Sequence, residues 1–110
     1  MTTTLCLISD ITDPGSKSFQ LDVNGEEINI FIVHKDAQFH GFINSCPHTG
    51  VNLEWLEDQF LDMDQNFIQC STHDALFEID TGHCIYGPCA GDNLTPIQIQ
   101  VVGNRLITHI

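Results

Sequence analysis

Along most of this chain apolar and polar residues alternate with a period of two, and turn-forming residues interrupt the alternation at short intervals. Such a pattern builds strands with one dry and one wet face, and it leaves little room for helices. Phe19, Leu21 and Val23 alternate with Gln20 and Asp22, and Asn24-Gly25 follows. Both turn positions tolerate positive φ, so the pair predicts a two-residue type I′ hairpin. The return strand is expected over residues 27–33, with Ile28, Ile30 and Ile32 on one face. Further strands are expected at residues 5–8, 38–44, 67–69 and 76–79, the last closed by an Asp80-Thr81-Gly82 turn. Ile97, Ile99 and Val101 predict one strand, and Gly103-Asn104 turns the chain into a final strand over 106–110. Residues 10–16 read as a surface loop, and residues 53–60 could make a helical turn or two. Many short strands with frequent turns predict an all-β antiparallel sandwich or barrel.

At 110 residues the expected organisation is a single domain over 1–110, too short for a core plus a separate catalytic domain. Apolar residues recur throughout, which argues against disorder. The charge is strongly one-sided, with 15 Asp and Glu against 3 Lys and Arg. The cations are Lys17, Lys35 and Arg105, so nothing from Asp36 to Asn104 carries a fixed positive charge. Nucleic acid and anionic membrane would be repelled, whereas a partner with a basic docking surface would be attracted. The N-terminus lacks the pattern of a signal peptide, and no apolar run approaches bilayer length. A cytoplasmic location is therefore expected.

Five cysteines, Cys6, Cys46, Cys70, Cys84 and Cys89, are an odd number for a disulfide scaffold. In a reducing compartment, paired Cys and His read first as metal ligands. Cys46-Pro47-His48 is a Cys-x-His pair, Cys70-Ser71-Thr72-His73 is a Cys-x-x-His pair, and 21 residues (49–69) separate them. Each pair follows an expected strand, where a tight loop can aim two side chains at one point. Thiolates suit iron in a sulfide cluster, and neutral imidazoles on one iron remove two negative charges from the ligand set. The split would put both Cys on one iron and both His on the other. Two Cys and two His can also hold zinc tetrahedrally, although Cys-x-His is an unusual zinc pair and the β pattern is wrong for a finger.

Cys46-Pro47-His48-Thr49-Gly50 and Cys70-Ser71-Thr72-His73 resemble the two boxes of the Rieske family. The likeness extends through Leu76-Phe77, Asp80-Thr81-Gly82, Gly87-Pro88 and the strand beginning at Pro96. It implies an antiparallel β fold of the Rieske type with a cluster-binding subdomain and one [2Fe–2S] cluster held by Cys46, His48, Cys70 and His73. The cluster-binding loops are expected over residues 44–52, 69–77 and 84–90, with Pro88 on the third, covering loop. High-potential members carry an extra disulfide between the boxes, and Val51 and Thr72 occupy those places here. Ala75 and Phe77 stand where those members have hydroxyls that bond the sulfurs. The resemblance is therefore to soluble Rieske-type ferredoxins of low potential, near roughly −150 mV. Asp74 replaces a glycine found in many relatives; either its carboxylate favours positive charge on the His73 imidazole or it is a solvated loop residue with little effect.

The implied function is a non-enzymatic electron carrier between a reductase and a terminal enzyme such as an oxygenase. Two other readings stay open: a Rieske-like small subunit of a nitrite reductase, and a zinc-binding interaction module. Cys84 and Cys89 flank the third loop and read as small buried hydrophobes, with redox sensing or metal ligation as the alternatives. Cys6 reads as core. His34, His40, His83 and His109 lack paired spacing and read as surface or satisfied residues, with His83 near the third loop. Trp55 reads as a core anchor of the 53–56 segment, with shielding of the cluster as the alternative. The acids Glu54, Glu57, Asp58, Asp62 and Asp64 read as a solvated face or a docking patch.

Overall fold

The computed structural model describes residues 2–45, 47, 53, 58–70 and 75–109. Among these, ten strands form three antiparallel sheets. The strands are β1 (Thr3–Leu7), β2 (Gly15–Val23), β3 (Glu26–Lys35), β4 (Gln38–Ile43) and β5 (Phe67–Gln69). They continue with β6 (Leu76–Glu78), β7 (Cys84–Tyr86), β8 (Pro96–Ile97), β9 (Ile99–Val102) and β10 (Arg105–Thr108). A four-stranded sheet runs β2-β3-β4-β8, a terminal sheet runs β1-β10-β9, and a small sheet runs β5-β6-β7. The all-β expectation holds.

Asn24 and Gly25 adopt φ of 55° and 85°, and Val23 pairs with Glu26 across the two-residue turn. A second hairpin of the same size joins β3 to β4, where Lys35 pairs with Gln38. Its turn residues, Asp36 and Ala37, also have positive φ, 54° and 64°, without a glycine. Asp13 compensates: its carboxylate accepts the Asp36 N–H at 3.0 Å and the Ala37 N–H at 2.7 Å.

β3 departs from the one-faced expectation. Ile30, Phe31, Ile32 and Val33 are all fully buried. Phe31 and Val33 pack into a core shared with Phe42, Phe60, Ile68 and Phe77, whereas Ile32 packs with Ile11 and Leu106. The strand is central, so apolar layers cover both its faces. Phe31 stacks on Phe60 with ring centroids 4.3 Å apart.

Four other expectations are revised. Ile8 leaves the first strand for a short 3₁₀ turn, Ile8–Asp10. The expected loop over 10–16 buries Ile11, and Gly15 and Ser16 already belong to β2. The strand expected around Ile97, Ile99 and Val101 is two strands: β8 pairs with β4, and β9 pairs with β10. The switch occurs at Gln98, whose carbonyl accepts the Thr108 hydroxyl at 2.9 Å and the His109 N–H at 3.3 Å. Cys84, Ile85 and Tyr86, expected as loop, form β7 on β6. The helical segment expected within 53–60 falls largely outside the described residues.

Candidate metal centre

Of the four expected ligands, Cys70 is described; Cys46, His48 and His73 lie outside the described residues, as do Val51, Trp55, Thr72 and Asp74. The stems of the loops that carry them are described. β4 ends at Ile43, and Asn44 follows, nearly fully buried. Its Oδ1 accepts the Leu53 N–H at 2.9 Å, and its own N–H donates to the Asn29 carbonyl at 2.8 Å. One amide side chain thus joins the two ends of the first loop. Leu53 is fully buried, which anchors the far end.

The second loop leaves β5 at Cys70 and returns to β6 at Leu76. Cys70 is fully buried, and its N–H donates to the Ala75 carbonyl at 2.9 Å. That bond brings the two described ends of the second loop, Cys70 and Ala75, together. The third segment packs directly on this stem. A Cβ placed on Gly87 would lie 2.9 Å from both Cα and Cβ of Ala75, so only glycine fits, and its φ is +106°. Pro88 follows on the exposed turn.

Leu53, Cys70, Ala75, Cys84 and Cys89 belong to one buried cluster. The stems of all three loops therefore converge on a single apolar floor. Ala75 and Phe77 are buried in it and present no hydroxyl. A sulfide cluster bound by thiolates and imidazoles suits this setting: Cys70 offers a thiol directly after β5, on a buried apolar floor. Among the described residues no group of three or more His, Cys, Asp or Glu is placed to hold a metal ion elsewhere.

Three of the remaining histidines, His34, His83 and His109, have hydrogen-bond partners. His34 is hydrogen-bonded through Nδ1 to the Ile11 carbonyl at 2.9 Å and stacks on Phe39. His83 Nδ1 is 2.7 Å from Asn93 Oδ1, and His109 Nε2 is 2.9 Å from Gln100 Oε1. Burial lowers the His40 pKa, with Asp80 opposing. Cys6 is half-buried and packs against the Ile11, Ile32 and Leu106 core; burial raises its pKa, Asp10 adds to the rise and Lys17 opposes it. Two acids of the expected solvated run have structural partners instead. Asp58 Oδ1 accepts the Ser18 N–H at 2.7 Å and the Ser18 hydroxyl at 2.9 Å. Lys17 Nζ lies 3.9 Å from Asp58 Oδ2, and the Ser16 hydroxyl donates to the Asp58 carbonyl at 2.7 Å. Asp62 Oδ1 accepts the Asn66 and Phe67 N–H groups, which turns the chain into β5.

Asn44 and Gly87 position the loops, and sequence pattern did not single out Asn44. Its one signal is an amide placed directly between a strand and a Cys-Pro box. Cys84 and Cys89, read as separate small hydrophobes, have their sulfurs 2.8 Å apart.

A family model for the Rieske [2Fe-2S] domain matches residues 2–103. No curated protein matches the chain significantly. Among solved structures, the ferredoxin of carbazole 1,9a-dioxygenase from Nocardioides aromaticivorans IC177 superposes with a TM-score of 0.75 at 17% identity, over 98% of this chain and 96% of that one. The terminal oxygenase of carbazole 1,9a-dioxygenase from Novosphingobium sp. KA1 superposes at 0.78 with 17% identity, over 99% of this chain and 29% of that one. A fluorene-bound oxygenase and ferredoxin complex of carbazole 1,9a-dioxygenase gives 0.80 at 15% identity, and there the chain spans 28% of its match. At such identities the structural likeness shows the fold, and the family model supplies the kinship. The chain belongs to the Rieske [2Fe-2S] domain family, whose domain carries one [2Fe–2S] cluster.

Proposed function

We propose that this protein is a low-potential Rieske-type ferredoxin that carries single electrons between a reductase and a terminal enzyme of the oxygenase class. The observation that supports the reading is the Rieske family match over residues 2–103 on a fold that superposes on a ferredoxin with a TM-score of 0.75. Residues 1–110 would then form one electron-transfer domain, and the chemistry on substrate would belong to the terminal enzyme. Cys46, His48, Cys70 and His73 are the proposed ligands. When bound, the cluster takes up and gives back one electron. The chain's part is to hold the ligand loops on a dry floor and to present the centre to a partner.

Low potential is supported by what surrounds the second box. Ala75 and Phe77 bring no hydroxyl near the sulfurs, so the reduced, more negative state gains no stabilisation from them. Partner choice is supported by charge. A formal net charge of −12 favours a basic docking face on both donor and acceptor. Among the described residues no helix is long and apolar enough to cross a membrane.

Anaerobic redox titration of the purified protein, with metal analysis, tests the reading. Iron and sulfide in equal amounts, uptake of one electron and a midpoint near roughly −150 mV are expected. Zinc in place of iron would overturn the assignment, and a clearly positive midpoint would overturn the subtype.

A further inference from the structure

We propose that Cys84 and Cys89 form a reversible disulfide that clamps the third loop onto the stem of the second ligand loop. Their Sγ atoms are 2.8 Å apart, and both side chains are 1% exposed. Neither belongs to the proposed ligand set, and neither occupies the place of the disulfide seen in high-potential relatives, which Val51 and Thr72 fill here.

Backbone hydrogen bonds build the juxtaposition. Cys84 N–H donates to the Asp92 carbonyl at 2.8 Å, and the Cys84 carbonyl accepts the Gly91 N–H at 3.1 Å. Asp92 N–H donates to the Cys89 carbonyl at 2.8 Å, and Ala90 N–H donates to the Gly87 carbonyl at 3.1 Å. These bonds close residues 84–92 into a compact loop with both sulfurs turned inward. The rim of that loop, Ile85, Tyr86, Pro88 and Ala90, is exposed, so the two sulfurs lie beneath residues that solvent reaches.

The clamp bears on the ligand loop through two contacts. Gly87 packs on Ala75, and the Ala75 carbonyl holds the Cys70 N–H. A bond between Cys84 and Cys89 would fix the loop that presses on that stem.

The chemistry is thiol–disulfide exchange with a low-molecular-weight disulfide. One cysteine thiolate attacks a sulfur of the external disulfide, forms a mixed disulfide and displaces one thiolate. The second cysteine thiolate then attacks the protein-bound sulfur and displaces the other thiolate. The protein loses two electrons and two protons, and the external disulfide becomes two thiols.

The test uses the intact iron-loaded protein equilibrated in glutathione buffers of stepped ratio, then alkylated and mapped by mass spectrometry. With rising glutathione disulfide, a Cys84–Cys89 cross-link should appear, about 2 Da lighter than the dithiol. Cys6 should remain alkylatable throughout. The cross-linked form should unfold about 5 °C or more above the reduced form, and this difference should vanish in Cys84→Ala and Cys89→Ala. Full alkylation of both cysteines at every ratio, or only stable mixed disulfides with glutathione, would overturn the proposal. Should the alanine variants fail to fold, the mapping of the unsubstituted protein decides alone. None of these readouts depends on electron transfer, so the clamp and the proposed function fail separately.

Discussion

Asn44 shows how one side chain can serve a whole loop. Its Oδ1 satisfies the N–H of buried Leu53 across the first box. Asn44→Ala leaves that donor without its partner and should cost about 1–3 kcal/mol, read from urea unfolding. Asn44→Asp keeps an acceptor and should recover much of the loss. Ala37 makes the opposite case. It holds φ of 64° in the β3–β4 turn, a region costly for any residue with a Cβ. Ala37→Gly should raise stability by up to about 1 kcal/mol in the same assay. His40 carries a pH dependence. Burial lowers its folded pKa below 6.5, so the unfolded chain binds the proton more readily. Stability should therefore fall as pH drops from about that value through the lowered folded one, and stay flat above it. His40→Gln should flatten this slope in urea midpoints measured against pH; an unchanged slope would remove His40 as its source. None of these three features stood out in the sequence, because each depends on a partner distant along the chain or on a backbone angle.

At the scale of elements, β5, the β2–β3 hairpin and the Gly103-Asn104 turn were legible because their signals are local. A two-residue turn with Asn-Gly needs no tertiary partner to be recognised. The break at Gln98 was not legible, since Ile97, Ile99 and Val101 alternate without interruption. What divides them is pairing: β8 joins β4 while β9 joins β10. Strand β7 was missed for a related reason, because it is held as an edge of the small sheet by β6. Its continuation, Gly87, offers an element-scale prediction. Gly87→Ala would drive a Cβ into the Ala75 backbone and push the third segment away. A loss of about 1–3 kcal/mol is expected, with faster hydrogen exchange at Cys70 N–H, whose acceptor is Ala75.

For the whole molecule, charge and layering act together. An apolar layer lies on each face of β3, and the stems of the expected ligand loops grow from one of them. The acidic surface belongs to the outside of this arrangement, although Asp58 and Asp62 are committed to internal bonds. Long-range attraction to a basic partner should speed encounter, and added salt should screen it. Stopped-flow electron transfer from a reductase should slow by about tenfold or more between low and physiological ionic strength. A rate indifferent to salt would dismiss the steering role of the net charge.

Two properties were settled by the order of residues alone. Period-two alternation made the chain all-β, because that spacing can bury one face only when extended. The paired Cys and His spacings pointed to the family, because they resemble its two boxes and supply donors that suit an iron–sulfide cluster. Tertiary structure decided what no local pattern encodes. It placed β3 between two cores, divided one alternating run between two sheets, and turned Cys84 and Cys89 towards each other. The expected ligand loops owe their stems to Asn44, Ala75 and Gly87, residues that act only through contacts made after the chain has folded.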